Sequence, residues 1–385
     1  MKKVWFGNIV LPDKLLVNGQ ITVENGRIIA VGPRQSRPDF GSAQVIEYQA
    51  DYIWPGLIDL HVHGAGGADV MDGTNLSLSI IAATLLRYGV TGFLATTVTA
   101  EKDDLKKVMD VASFWKRKTG EAEILGIHLE GPWVCSKHKG AQNPEFIQNP
   151  QKGDGVWAYE ASKGSLKIVT LAPEKPQAGE LIKELVKLGV IVSIGHTDAD
   201  YRQVEHAVQL GASHITHTFN AMRGFHHREP GAVGAALMIN SLFSEVIADG
   251  YHVHPKAVEL LVRTKGSNQV LLVSDGIQAV AMPEGEYELG GLKIYTREGK
   301  AMLSDGTLAG SLLTLNHSVI NAMRFADIPI WEAVKMASLN PAERLGIDNQ
   351  TGSIEVGKRA NLIAVNSDGD VQNVWIDGVE QHIRD

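Results

Sequence analysis

A single cysteine, Cys135, stands in the 385 residues. That excludes an intramolecular disulfide and any metal site built from several thiolates, and it fits a reducing cytoplasm. No stretch approaches the ~20 apolar residues of a membrane span, and Met1-Lys2-Lys3-Val4-Trp5 opens without the roughly 7–15-residue apolar core of a signal peptide. The expectation is a cytoplasmic protein with no membrane partner. A basic excess is missing too. Against 36 Lys and Arg stand 44 Asp and Glu, a formal net charge of −8, which argues against a nucleic-acid partner. An anionic substrate stays open, because a few local cations override a global field. Prolines are few, 14 against 40 glycines, a balance that suits many short strand-to-helix turns rather than a fibrous or disordered chain. Neither an internal repeat nor a low-complexity segment occurs.

What is present is 44% hydrophobic sequence, enough for a large core. Residues 1–53 read as short strands and turns, with Glu24-Asn25-Gly26-Arg27 as a hairpin signal. The tail from Gly352 to Asp385 has the same texture, around Ala360-Asn361-Leu362-Ile363-Ala364-Val365 and Val374-Trp375-Ile376. Neither end is long enough to bury its own core, so both are expected to pair into one discontinuous β-sandwich domain, 1–54 with 352–385. Between them strand and helix alternate. Strand candidates are Leu57–His63, Thr91–Thr99, Ile124–Glu130, Lys167–Ala172, Val190–Gly195, His214–Asn220, Glu245–Asp249 and Val270–Asp275. Amphipathic stretches such as Ala178–Leu188 and Ala199–Leu210 separate them. Eight such units over 55–351 predict an α/β fold, a (β/α)8 barrel, with an insertion around 287–308 after strand eight.

In a parallel barrel the reacting groups gather at the carboxyl ends of the strands. His61 and His63 close strand one and, two apart, share a face. Glu130 closes strand three, His196 follows strand five, His217 falls in strand six and Asp275 closes strand eight. Each has an ordinary alternative. Glu130 before Gly131-Pro132 can simply end a strand, and Asp275-Gly276 can be a turn. Yet a charged group in an apolar barrel strand is costly unless it is paired or metal-bound. Six on one rim, from five strands, point to a metal or acid–base site.

With these residues in view, the chain resembles the amidohydrolase superfamily, through Pro55-Gly56-Leu57-Ile58-Asp59-Leu60-His61-Val62-His63 and the tail Gly352-Ser353-Ile354-Glu355-Val356-Gly357-Lys358-Arg359-Ala360-Asn361-Leu362. Within it, further segments are similar to N-acetylglucosamine-6-phosphate deacetylases. They are His128-Leu129-Glu130-Gly131-Pro132, Gly195-His196-Thr197-Asp198-Ala199, Thr216-His217-Thr218-Phe219-Asn220-Ala221-Met222 and Arg228-Glu229-Pro230-Gly231. Ala248-Asp249-Gly250-Tyr251-His252-Val253 and Leu308-Ala309-Gly310-Ser311 complete the set. The resemblance implies hydrolysis of the acetamide of N-acetylglucosamine 6-phosphate. It implies one divalent metal on Glu130, His196 and His217, and a second on His61 and His63 with Glu130 bridging. Imidazole and carboxylate suit Zn²⁺ or Fe²⁺, and also Mn²⁺ or Co²⁺. Asp275 is implied as the proton carrier.

For the substrate, the resemblance implies phosphate binding by Arg228, His252 and the backbone around Asn220 and Ala221. Arg228 would come from a neighbouring subunit, which implies a homodimer. Ala141 and Gln142 match a substrate loop, and Leu308, Ala309 and Gly310 a second one. Some relatives carry histidine where Gln142 stands and polarise the carbonyl with it; here an amide must donate, or a second metal takes the task. Other histidines are read plainly: His206 and His382 as surface residues, His128 as a partner that could orient a ligand, and His138, His226 and His227 as loop residues near the site. Two further readings stay open, another metal-dependent amidohydrolase and a non-catalytic sugar-phosphate-binding regulator.

Overall fold

Eight parallel strands follow one another around a single sheet in chain order. They are Leu57–Val62, Val90–Thr97, Glu123–Glu130, Leu166–Leu171, Ile191–Ile194, His214–Ile215, Phe243–Val246 and Val270–Leu272. This is a computed structural model that describes residues 2–34 and 46–383. Met1, 35–45 and 384–385, which fall within the expected terminal domain, lie outside the described residues. The strands are near-continuous apolar runs buried on both faces, because helices cover the outside of the sheet. Strands one and eight close the circle at their carboxyl ends. There His63 donates its backbone N–H to Gly276 O at 2.8 Å, and Asp275 donates to His61 O at 2.9 Å. The barrel is therefore sealed by the residues that flank its polar cluster.

The late strands are shorter than their sequence suggests. Strand six ends at Ile215, so His217 lies two residues beyond it rather than within it, and Asp275 lies three beyond strand eight. Strand seven begins at Phe243, earlier than expected, and stops at Val246. The physical cause is backbone sign: His217 has φ 29° and Asp275 φ 50°. A left-handed residue cannot continue a ladder. Helices follow each strand, among them Ala178–Lys187 and Tyr201–Gln209. The second starts two residues later than its hydrophobic pattern because Asp200 caps it, its side chain accepting Gln203 N–H while Gln203 returns a bond to Asp200 N–H.

The insertion after strand eight is a three-stranded antiparallel sheet, Glu286–Leu289, Leu292–Arg297 and Lys300–Met302. Its first hairpin pairs Leu289 with Leu292 across Gly290 (φ 55°) and Gly291 (φ 81°). Two consecutive positive φ values are what a tight two-residue hairpin demands, and glycine meets them without strain. Both chain ends meet in a seven-stranded mixed sheet, in which Leu362–Val365 lies antiparallel on Ile46–Pro55, and Ile46–Pro55 lies parallel to Lys2–Val10. Trp5, Ile21, Ile53, Leu362 and Trp375 share its buried cluster. Trp375 sits 5.6 Å from the Trp5 ring and 4.9 Å from Tyr48, both edge-on. No helix among the described residues is long and apolar enough to cross a membrane.

Because Trp375 joins residues far apart in the chain, Trp375→Ala should remove ~3–5 kcal/mol of stability, the usual cost of deleting a buried aromatic. Urea unfolding followed by tryptophan fluorescence and circular dichroism checks this; a loss below ~1 kcal/mol would mean the sheet does not depend on that cluster.

Candidate metal centre and active site

Strand one carries an irregularity where the chemistry begins. Its register against strand two slips between Asp59 and Val62. In a regular strand Leu60 and His61 would face opposite sides. With the slip, Leu60 packs with Ile58, Leu94, Ile168 and Leu271, while His61 reaches the polar cluster. Asp59 anchors this stretch, its Oδ1 accepting the backbone N–H of His61 at 3.2 Å and of Ser274 at 3.3 Å. His196, His217 and Asp275 reach the same centre from left-handed backbone, φ 45°, 29° and 50°. Such a conformation costs a non-glycine residue about 1–3 kcal/mol and persists only where its surroundings impose it. Gly195 makes room before His196, since a Cβ there would stand 2.7 Å from Thr216 Cβ.

The side chains form two buried triads, Glu130–His196–His217 and His61–His63–Asp275, each with its ligand atoms within 4.8 Å of one another. Glu130 faces both. Its Oε1 lies 3.2 Å from His196 Nε2, 3.2 Å from His217 Nε2 and 3.4 Å from His61 Nε2, and its Oε2 lies 3.5 Å from His63 Nε2. Asp275 Oδ1 lies 3.2 Å from His63 Nε2 and 3.5 Å from His61 Nε2. Three of the imidazoles are turned by their far nitrogens. His196 Nδ1 donates to His138 O at 3.0 Å, His63 Nδ1 to Thr96 O at 3.2 Å, and His61 Nδ1 meets Glu245 Oε2 at 3.1 Å. That leaves each Nε2 for the cluster, the arrangement that orients metal-binding histidines.

Charge balance says what belongs at the centre. Burial alone would depress His61, but Glu130, Asp275 and Glu245 outweigh it and lift its pKa to about 10. Burial would likewise raise both carboxyls; the histidines override it, holding Glu130 well below the carboxylate range and Asp275 near about 2. The pairs His196–His217 and His61–His63 bring Nε2 atoms to 3.1 and 3.2 Å. Two ring nitrogens so close need a shared proton or a cation between them. The donor set is nitrogen and carboxylate oxygen, nearly dry, with positive charge stabilised at its middle. It fits a metal ion.

Beneath the cluster, the barrel interior holds a chain of hydrogen bonds. Ser193 Oγ meets Thr216 Oγ1 at 2.5 Å, Thr216 meets Thr170 at 2.7 Å, Thr170 meets His128 Nε2 at 2.7 Å, and His128 Nδ1 meets Leu60 O at 3.0 Å. Burial and the neighbouring His61 lower the His128 pKa to about 4. His128 packs on the His61 ring at 4.7 Å and bonds no residue of the two triads.

Above lies a cavity of about 490 Å³, its floor formed by His63, Glu130, His196, His217 and Asp275. His61 is fully buried under them. Ala141, Gln142, Asn220, Ala221, His252, Leu308 and Gly310 line the walls. His252 donates from Nδ1 to Asp249 Oδ2 at 2.6 Å. Two residues assigned to substrate binding stand outside this chain's cavity, Arg228 among them as expected of a residue contributed to a neighbour. Ala309 is buried away from it, packed with Ile277, Leu289 and Ile294. Arg228 is exposed and contacts His227 at 2.9 Å. His226 and His227 are absent from the lining too, whereas His138 is part of it. His206 and His382 are exposed.

Three features escaped the sequence. Lys139 lines the cavity, signalled by the run Lys137-His138-Lys139, and Asp305 and Thr307 enter it from the insertion. Glu245, a lone acid in a buried strand, touches His61. Gln142 does not stand free in the cavity: its Nε2 donates to Glu130 Oε2 at 2.6 Å and its Oε1 accepts Thr99 N–H at 2.7 Å. Replacing it by Leu removes the short bond to Glu130 Oε2 and leaves the buried Thr99 N–H unpaired, at ~1–3 kcal/mol for the latter. Gln142→Leu should therefore lower metal content per chain after dialysis, as elemental analysis can check; unchanged content would make the Glu130 contact incidental.

The comparisons with known proteins agree with this geometry. Residues 52–380 match the amidohydrolase family. The chain is 42% identical over 370 residues to an N-acetylglucosamine-6-phosphate deacetylase of Bacillus subtilis, covering 94% of this chain and 92% of that one. It is 37% identical over 360 residues to an N-acetylgalactosamine-6-phosphate deacetylase of Escherichia coli, covering 93% of each. Among solved structures, a mutant N-acetyl-D-glucosamine-6-phosphate deacetylase of Mycobacterium smegmatis, in complex with N-acetyl-D-glucosamine-6-phosphate, superposes with a TM-score of 0.92 at 31% identity, covering 98% of this chain and 99% of that one. With its barrel, its paired histidine–carboxylate triads and this likeness along nearly its whole length, the chain belongs to the amidohydrolase family and, within it, to the N-acetylglucosamine-6-phosphate deacetylases.

Proposed function

We propose that the cavity binds N-acetyl-D-glucosamine 6-phosphate and that the cluster at its floor hydrolyses the acetamide, releasing D-glucosamine 6-phosphate and acetate. The observation that carries this reading is Glu130 set between the His196–His217 and His61–His63 pairs, with Asp275 beside the second pair at the cavity floor. Glu130, His196 and His217 would hold one divalent ion, and His61 and His63, with Glu130 across from them, a second. Zn²⁺ or Fe²⁺ suits these donors, as do Mn²⁺ and Co²⁺. Bound there, such an ion lowers the pKa of water and polarises a carbonyl oxygen.

The protein's own groups do the rest. An amide is a poor electrophile and an amine a poor leaving group, so a proton must be taken from water and given to nitrogen. Asp275 accepts the proton of the attacking water as its oxygen adds to the acetyl carbon. It then passes that proton to the sugar nitrogen as the C–N bond breaks. Gln142, tied to Glu130 and Thr99, acts as a brace for the bridging carboxylate. The phosphate is met by His252, Lys139 and the backbone at Asn220 and Ala221, with Ala141, Leu308 and Gly310 shaping the sugar pocket around them. Arg228, outside its own chain's cavity, completes the phosphate site of a partner subunit in a homodimer.

The test is a panel of N-acetylglucosamine with and without the 6-phosphate, alongside the 6-phosphates of N-acetylgalactosamine and N-acetylmannosamine. The gluco phosphate should be turned over best. No activity on any of them with added Zn²⁺, Fe²⁺, Mn²⁺ or Co²⁺ would sink the reading. Asp275→Asn keeps the size of the side chain and removes its basicity, so turnover should fall ~10²–10⁴-fold with binding retained. A near-normal rate would assign the proton to another group.

Arg228→Ala should weaken use of the phosphorylated sugar by ~1.5–3 kcal/mol, the worth of a hydrogen bond to a charged group, and leave the unphosphorylated sugar unaffected. Co-expressed, separately tagged Arg228→Ala and Asp275→Asn chains should regain activity in the heterodimer, where one site has both residues intact. Failure in verified heterodimers would return Arg228 to its own subunit.

A further inference from the structure

We infer that Glu245 is the positioning residue for the His61–His63 half of the centre: it holds His61 with Nε2 toward the cluster and thereby sets how tightly the second ion is bound. The inference rests on the two-ion reading above. Glu245 lies on strand seven with no exposure, and its Oε1 has no hydrogen-bond partner. A carboxylate in such a place is costly. Its Oε2 has two contacts that repay part of the cost, His61 Nδ1 at 3.1 Å and the backbone N–H of His217 at 3.3 Å.

An ionised carboxylate oxygen only accepts, as Oε2 does from the His217 backbone N–H, so the proton between Oε2 and His61 belongs to Nδ1. The other ring nitrogen, Nε2, is the atom that faces His63 Nε2 at 3.2 Å, Glu130 Oε1 at 3.4 Å and Asp275 Oδ1 at 3.5 Å. An incoming ion would thus meet His61 through Nε2, while the proton stays on Nδ1 and is donated to Glu245 Oε2. Nothing else described replaces this hold. His128, the ring packed beside His61, has Nδ1 committed to Leu60 O and Nε2 to Thr170 Oγ1. The same commitments exclude a third ion among His61, His128 and Glu245, although their ligand atoms lie close. Glu245 also reaches both triads at once, one through the His61 ring and the other through the His217 backbone. The side-chain contact is the shorter, and the ring is free to turn where the backbone is not, so the His61 side depends on it more.

The experiment uses full-length protein stripped of metal and titrated with Zn²⁺ or Co²⁺, with stoichiometry from elemental analysis and affinities from calorimetry. Wild type should take up two ions. Glu245→Ala should keep one at unchanged affinity and bind the other roughly 10–100-fold more weakly, the usual loss when a partner of a metal-binding histidine is removed. Glu245→Gln, which can still accept the Nδ1 proton, should fall between them. That graded rescue is something a merely structural role would not give. Circular dichroism and thermal unfolding of the metal-free proteins report folding, and if Glu245→Ala does not fold, the smaller loss in Glu245→Gln carries the test. Folded variants that bind both ions as wild type does would overturn the inference and leave the two-ion reading standing. Equal weakening of both ions would also overturn it, assigning Glu245 to the whole cluster through His217. A wild type that binds one ion removes the two-ion reading, and this inference with it.

Discussion

A carboxylate with almost no access to water, Glu130, is the constraint around which the barrel is arranged. Its negative charge is tolerable only because His61, His196 and His217 crowd it and Gln142 donates to its second oxygen. Those groups come from strand one, the turns after strands five and six, and the loop after strand three, so satisfying one side chain fixes four segments in space. Barrel closure follows the same logic. The bonds that seal strand one to the turn after strand eight run through His61, His63, Asp275 and Gly276, so the seam of the fold and the wall of the site are one set of atoms.

The alternation of β-rich and amphipathic stretches was enough to find all eight barrel strands, because buried parallel strands leave unmistakable apolar runs. The ends of those strands were harder to read. Periodicity cannot announce a left-handed residue, and His196, His217 and Asp275 use that conformation to leave the ladder and turn inward. His-x-His, Glu-Gly-Pro and Asp-Gly marked members of the buried cluster because charge in an apolar run is conspicuous. Glu245 stands in an equally apolar stretch, but its partner His61 is on strand one, across strand eight, and no local pattern pairs residues so far apart in the chain. Gln142 looked like a substrate contact; that its amide is spent on Glu130 is a matter of loop conformation, which no local pattern encodes. Ala309 sits between two cavity residues, but its side chain turns into the cluster of Ile277, Leu289 and Ile294.

The terminal sheet answers a different requirement. Strands from the first 55 residues and the last 24 each present one apolar face and lack the length to cover it alone. Their pairing along Ile46–Pro55 and Leu362–Val365 gives Trp5, Ile53 and Trp375 a common interior. Arg359 ties this sheet to the barrel, bidentate on Asp377 at 2.7 and 2.9 Å and reaching Glu123 of strand three at 2.9 Å. Its planar fork suits that double contact. The end of the preceding sheet strand and the start of strand one are separated by Gly56 alone, so the terminal sheet leads directly into the strand that carries His61.

The hydroxyl chain under the cluster has a polarity that can be read from its last member. Leu60 offers a carbonyl, which only accepts, so His128 must donate from Nδ1. Being neutral, it must then accept at Nε2 from Thr170. Thr170 in turn accepts from Thr216, and Thr216 from Ser193. Every hydroxyl is thereby pointed the same way, toward a peptide oxygen that cannot hand a proton onward. Running to that carbonyl and bonding none of the residues of the two triads, this hydroxyl chain offers them no path for a proton.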